Sequence, residues 1–141
     1  MGLFDGIRKK DVAVVSFETI LLRESGMRFT AEYEIVMKDG NAEITEYSIR
    51  YLQKEDKRIP EKRTVCSEEA VLKLMNEYRV ISWDGFSGAH PKGVSDGIMF
   101  TFRATVNGGK RIYATGSQNF PKNYREFRNG LNSLLNGTEN G

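Results

Sequence analysis

The sequence predicts an α+β domain: a five-stranded, mainly antiparallel sheet in the order βββ-α-ββ-α, with two helices packed on one face. Three observations carry this. Apolar and polar residues alternate across Met27–Lys38 and again across Ile98–Val106, the period of half-buried strands. Turn sequences separate neighbouring runs by a few residues, the connection antiparallel strands use. Two segments, near 67–79 and 121–135, repeat their apolar residues at helical spacing instead.

The elements follow in order. Val12–Leu22 places Ala13, Val15, Phe17, Thr19 and Leu21 on one face of a first strand. Glu24-Ser25-Gly26 turns the chain. Met27, Phe29, Ala31, Tyr33, Ile35 and Met37 then line one face of a second strand. Asp39-Gly40 is a hairpin signal, and a third strand over Ala42–Leu52 sets Tyr47, Ile49 and Tyr51 on a common face. Gln53–Arg63, charged and interrupted by Pro60, reads as a connection. Ser67 reads as the N-cap of a helix reaching about Arg79, with Glu68 and Glu69 at the positive end of its dipole. Ile98, Phe100, Phe102, Ala104 and Val106 alternate along a fourth strand. Asn107-Gly108-Gly109-Lys110 turns it, and Arg111–Gly116 returns as a fifth. A last helix runs from Pro121 to Leu135, with Phe127, Leu131, Leu134 and Leu135 on its apolar face and Gly130 weakening it. The similarity of Gly26–Thr30 and Gly97–Thr101 is too short to mark a repeat.

With 141 residues, 39% of them hydrophobic, the chain is long enough for one self-sufficient core. The expected organisation is an N-terminal segment over 1–10, one domain over 11–136 and a flexible tail over 137–141. No apolar run approaches the roughly 18 residues a membrane-spanning helix needs. A single cysteine, Cys66, excludes an internal disulfide and a cysteine-built zinc site. That thiol and the missing secretory leader together predict a cytoplasmic protein. Met1, Leu3, Phe4 and Ile7 ahead of Arg8-Lys9-Lys10 form a miniature membrane-surface pattern, too short to hold a membrane alone. Gly2 does not complete a myristoylation motif, because position 6 is Gly6.

One segment stands apart. Trp83–Gly97 holds the only tryptophan, the only histidine and no periodicity, and long aperiodic loops are often functional. Trp83, Asp84, Phe86, Ser87, His90 and Asp96 are its candidate binding residues, with Trp83 and Phe86 better suited to anchoring the loop on the core than to forming a ligand platform. Ser87, His90 and Asp84 or Asp96 are the residue types of a nucleophilic triad, but three residues of one short loop seldom reach that geometry, and no nucleophile elbow is present. Asp84, His90 and Asp96 match no metal-loop spacing. No cofactor is expected. Gly116–Lys122 leads from strand to helix and is a candidate anion cradle, without the spacing of a P-loop. Cys66 reads as a structural thiol.

The net charge is +2, unevenly spread. Beyond residue 96, Arg103, Lys110, Arg111, Lys122, Arg125 and Arg128 face only Glu126 and Glu139. This predicts a basic surface for an acidic protein, a second copy or a phosphorylated molecule. Nucleic acid is less favoured, because the aromatics here fall at core positions.

Trp83-Asp84-Gly85-Phe86, Asp96-Gly97 with Phe100, Gly109, Ile112, Ala114, Gly116-Ser117, Phe120-Pro121 and Tyr124 together resemble a family of small domains from Gram-positive, often gut-associated, bacteria. The resemblance covers residues 83–127 and implies a bacterial origin, with no particular activity attached. The expected function is therefore a non-catalytic binding or adaptor domain. An enzyme or sensor for an anionic, phosphorylated small molecule is the alternative, and membrane attachment through residues 1–10 a third.

Overall fold

A computed structural model describes residues 12–94 and 97–137. Four antiparallel strands come first: β1 (Phe17–Ser25), β2 (Thr30–Lys38), β3 (Asn41–Leu52) and β4 (Glu55–Cys66). Helix α1 (Glu68–Glu77) and a 3-10 turn (Val80–Trp83) lead to a two-residue strand, β5 (Ser87–Gly88). The hairpin β6 (Met99–Val106) and β7 (Lys110–Ser117) follows, then α2 (Tyr124–Leu135). The α+β class holds. The sheet has seven strands rather than five, in the order β4-β3-β2-β1-β6-β7-β5, and is mixed because β5 runs parallel to β7.

The added strands explain themselves physically. β4 is the segment expected to be a charged connection. It lies on the sheet's outer edge, where charged side chains discourage pairing with another chain. Pro60 is tolerated because the ladder to β3 slips beside it, from Glu46 opposite Lys62 to Tyr47 opposite Pro60. The β3–β4 turn puts Gln53 at φ 52° and Lys54 at φ 68°, a left-handed pair built without the glycine that usually announces it. At the β2–β3 turn the expected Asp39-Gly40 supplies the same conformation, with φ 54° and 82°.

The face pattern of the first strand also changes. Val14 is buried and Val15 is 70% exposed, the reverse of the expected alternation. A bulge between Phe17 and Thr19 then shifts the register against β6, so Phe17, Ile20, Leu22 and Glu24 point to the helices. Thr19 and Leu21 fall on the opposite face. On β3 the buried residues are Ala42, Ile44 and Thr45, and Tyr47, Ile49 and Tyr51 share with Thr45 the face away from the helices.

Both helices lie against one side of the sheet. Ser67 caps α1 by accepting from Ala70 N at 3.1 Å. α2 starts at Tyr124, three residues later than expected, because Asn123 sits at φ 69° and cannot belong to a helix. The interior combines Val71 and Met75 of α1, Phe127 and Leu131 of α2, and Phe102, Val106 and Ile112 of the last hairpin. Residues before β1 are stitched down by two asparagines. Asn76 bonds both backbone groups of Val14, at 2.8 and 2.9 Å, and Asn107 accepts from Val15 N at 2.7 Å.

Gly116 shows how tightly the β7–α2 connection closes. The backbone carbonyl of Asn119 occupies the space a Cβ there would need, and Phe100 blocks the other side. Gly88, its partner on β5, meets the same carbonyl. Gly116→Ala is therefore expected to cost about 1–3 kcal/mol in urea denaturation, the usual cost of overpacking. Thr115→Ala, one residue away, serves as the tolerant control.

Candidate functional site

The Trp83-Asp84-Gly85-Phe86 motif is spent largely on closing the sheet. Trp83 is 1% exposed. Its ring centroid lies 5.1 Å from that of Phe102 and 5.3 Å from that of Phe127, both edge-on, and its Nε1–H donates to Lys122 O at 3.0 Å. Asp84 substitutes for a backbone neighbour: Oδ1 accepts from Tyr113 N at 3.0 Å while Oδ2 pairs with Lys110 Nζ at 3.2 Å. Gly85 N donates to Tyr113 O, and Phe86 O accepts from Thr115 N. The free edge of β7 is thereby satisfied, and Gly85 supplies the required φ of 87°. Of the two roles weighed for Trp83, core anchor is the one its burial fits.

His90 is exposed and held at both nitrogens. Nδ1 lies 2.8 Å from Ser117 Oγ and Nε2 2.5 Å from Val94 O. The Val94 carbonyl can only accept, so Nε2 donates to it, while the Ser117 hydroxyl can serve Nδ1 as donor or acceptor. With Asp84 committed to Tyr113 and Lys110, the geometry does not link Ser87, His90 and Asp84 as a relay. Asp96 lies outside the described residues, as do residues 1–10 and the tail beyond Gly137. Among the described residues, no group of three or more His, Cys, Asp or Glu side chains is placed to hold a metal. Nor is any helix there long and apolar enough to cross a membrane. At the strand-to-helix turn, Gln118 N donates to Ile98 O and Tyr124 N to Pro121 O, which leaves those two amides unavailable to an anion.

The six basic residues do not form one surface. Lys110 pairs with Asp84. Lys122 and Arg125 are exposed on the helix side. Arg128 was expected beside them and instead turns inward: Nε donates to Glu24 Oε1 at 2.9 Å and a terminal nitrogen to Tyr33 Oη at 3.0 Å. Tyr124 Oη donates to the other Glu24 oxygen. Glu24 is 4% exposed and the Arg128 side chain 30%, so a buried carboxylate is paired with a partly exposed guanidinium, each hydrogen-bonded. Burial holds the Tyr124 hydroxyl far above the ordinary tyrosine range, and the Glu24 charge adds to it. Burial opposes the Arg128 charge, but Glu24 outweighs it and raises the guanidinium above its usual value.

Arg103 and Arg111 face the other way. Among the described residues no helix covers this side of the sheet, and it carries a shallow dish of about 650 Å³ lined by Thr19, Leu21, Glu34, Arg103, Thr105, Arg111 and Tyr113. Around it the other arginines of the face are neutralised. Arg23 and Arg58 each reach Glu32 at 3.0 Å, Arg58 approaches Glu34 at 3.7 Å, and Arg63 holds Glu43 at 2.6 Å. Arg58 also stacks on Tyr47 at 3.8 Å from the ring centroid. Arg103 lies 5.5 Å from the Tyr113 centroid. Among the described residues, neither Arg103 nor Arg111 pairs with a carboxylate. Thr19, Glu34, Thr105 and Tyr113 are not among the expected site residues. For Thr105 and Tyr113 the signal is the spacing Arg103-x-Thr105 and Arg111-x-Tyr113 on either side of the Asn107-Gly108-Gly109 turn, which places these two and the two arginines on one face; Thr19 and Glu34 carry no such local signal.

Removing a partner from the buried cluster should be costly. Arg128→Met leaves the Glu24 carboxylate uncompensated, with an expected loss of about 3–5 kcal/mol in urea denaturation. Tyr124→Phe should cost about 1–3 kcal/mol through one unsatisfied acceptor. A pH series separates the two. An unfolded tyrosine ionises near pH 10.0 and the folded Tyr124 resists, so its contribution is complete below pH 10.0 and is lost progressively above it. Tyr124→Phe should flatten that alkaline decline. Comparison with family models, curated proteins and solved structures finds no match to this chain.

Proposed function

We propose that the protein is a non-catalytic binding domain of bacterial origin, and that it contacts an anionic partner through the helix-free face of its sheet. The observation that carries this reading is the pair Arg103 and Arg111. Both line one dish on an otherwise charge-balanced face, with no carboxylate partner among the described residues. Their positive charge is left uncompensated on this face, which is the condition for attracting an anion. The Trp83–Val94 segment contributes indirectly: Asp84 and Gly85 fix the backbone of Tyr113, and with it the far wall of the dish.

Capture of binding partners from a Gram-positive bacterial extract tests the reading, with retained protein, nucleic acid and small molecules each identified by mass spectrometry. The wild type and Lys122→Gln should retain the same negatively charged species, and Arg103→Gln with Arg111→Gln should lose it. A protein surviving nuclease treatment would mark an adaptor, and a self-pair would mark oligomerisation through this face. If the species is kept by the double arginine variant and lost with Lys122→Gln, the contact surface is the helix side and the reading fails.

A further inference from the structure

We infer that the dish between Glu34 and Tyr113 binds the phosphate monoester of a small hydroxylated molecule, of the size of a sugar phosphate. This rests on the reading of the helix-free face as the contact surface, and it names the ligand class.

Cross-strand register sets the positive end. Arg103 lies opposite Tyr113, and Arg111 opposite Thr105. Arg103 and Arg111 are thus diagonal neighbours, about 7–8 Å apart at the backbone and within reach of one another's heads. One carboxylate is satisfied by a single arginine fork. A phosphate monoester carries about −1.5 to −2 charge near neutral pH and three acceptor oxygens, enough for two guanidinium groups. Thr19 stands opposite Thr105 across β1 and β6, so a row of two hydroxyls and a guanidinium borders the same spot. The bulge at Glu18 is what brings Thr19 to this face.

The far end has opposite character. Glu34 pairs with Leu21, which pairs with Arg103, so carboxylate and guanidinium are two strand spacings apart, roughly 10 Å. Leu21 lies between them. A ligand spanning the dish presents its phosphate to the arginines and its hydroxyls to Glu34. An anion of uniform charge, such as a nucleic-acid strand or an acidic peptide, would meet the Glu34 carboxylate, which Arg58 approaches only to 3.7 Å and which stays partly exposed.

Calorimetric titration of the full chain with ribose 5-phosphate, ribose, inorganic phosphate and sulfate at matched ionic strength tests the inference. Ribose 5-phosphate should saturate one site, and the Arg103→Gln, Arg111→Gln double variant should weaken it by about tenfold or more. Glu34→Gln should weaken ribose 5-phosphate and leave inorganic phosphate unchanged. Lys122→Gln should alter neither. Melting curves confirm folding, and the single arginine variants replace the double one if it unfolds. Ribose 5-phosphate binding no better than sulfate, or binding that survives loss of both arginines, would overturn the ligand class. If the extract still yields a species dependent on Arg103 and Arg111, the contact face stands and only the ligand is wrong. If neither experiment depends on those arginines, both fall.

Discussion

The buried carboxylate of Glu24 governs how the helical layer meets the sheet. A charge 4% exposed is tolerable only with a counter-charge and filled hydrogen bonds. Arg128 and Tyr124 supply both from a single helix, four residues apart, on the stripe that α2 turns to the sheet. Tyr33 on β2 then holds the other end of the guanidinium. The rotation of α2 about its axis is thus fixed by one polar cluster, where apolar contacts alone would accept small slips. Once α2 is set, Trp83 has its place between Phe102 and Phe127, and the segment that follows is delivered to the free edge of β7.

That arrangement leaves the sheet with two unlike faces. The helix side is closed by apolar packing around one polar cluster. Among the described residues the other side has no covering layer, and its stability depends on cross-strand pairs. Most of those pairs are complementary: Arg23 with Glu32, Arg63 with Glu43, Arg58 between Glu32 and Glu34. The exposed Arg63–Glu43 pair is worth little, roughly 0–1 kcal/mol, whereas Glu32, only 8% exposed, is held by two arginines. Together these pairs spread charge evenly over β2, β3 and β4 and keep a long edge strand from pairing with another chain.

Much of the fold was legible in the sequence because period and turn chemistry agreed. Met27–Lys38, Ile98–Val106 and the Ser67 cap each carried a local signal that tertiary packing did not override. β4 was not legible because an edge strand needs little burial: its residues are charged, its proline sits at a bulge, and its turn is Gln53-Lys54 rather than Asn-Gly. The first strand misled because one bulged residue after Phe17 inverts the face assignments that follow it, those of Thr19 and Leu21 among them. The site was half legible. Arg103 and Arg111 stood out by charge. Their separation from Lys122, Arg125 and Arg128 depends on which face each element presents, and Arg128 was misplaced because its partner, Glu24, lies 104 residues away.

The last hairpin departs from the balance found on the rest of that face, and the departure bears on function. Placing Arg103 and Arg111 on adjacent strands costs repulsion that a single acidic residue at Thr105 would relieve, since Thr105 lies directly opposite Arg111. The chain meets that need at Glu32 and Glu43 and leaves it unmet here. A sequence otherwise consistent across propensity, turns, caps and pairing breaks its own rule at one place, beside a dish bordered by hydroxyls and a distant carboxylate. Unrelieved positive charge is a poor contribution to folding and a ready one to holding an anion, because the arginines are already positioned and no internal ion pair must be broken when it arrives.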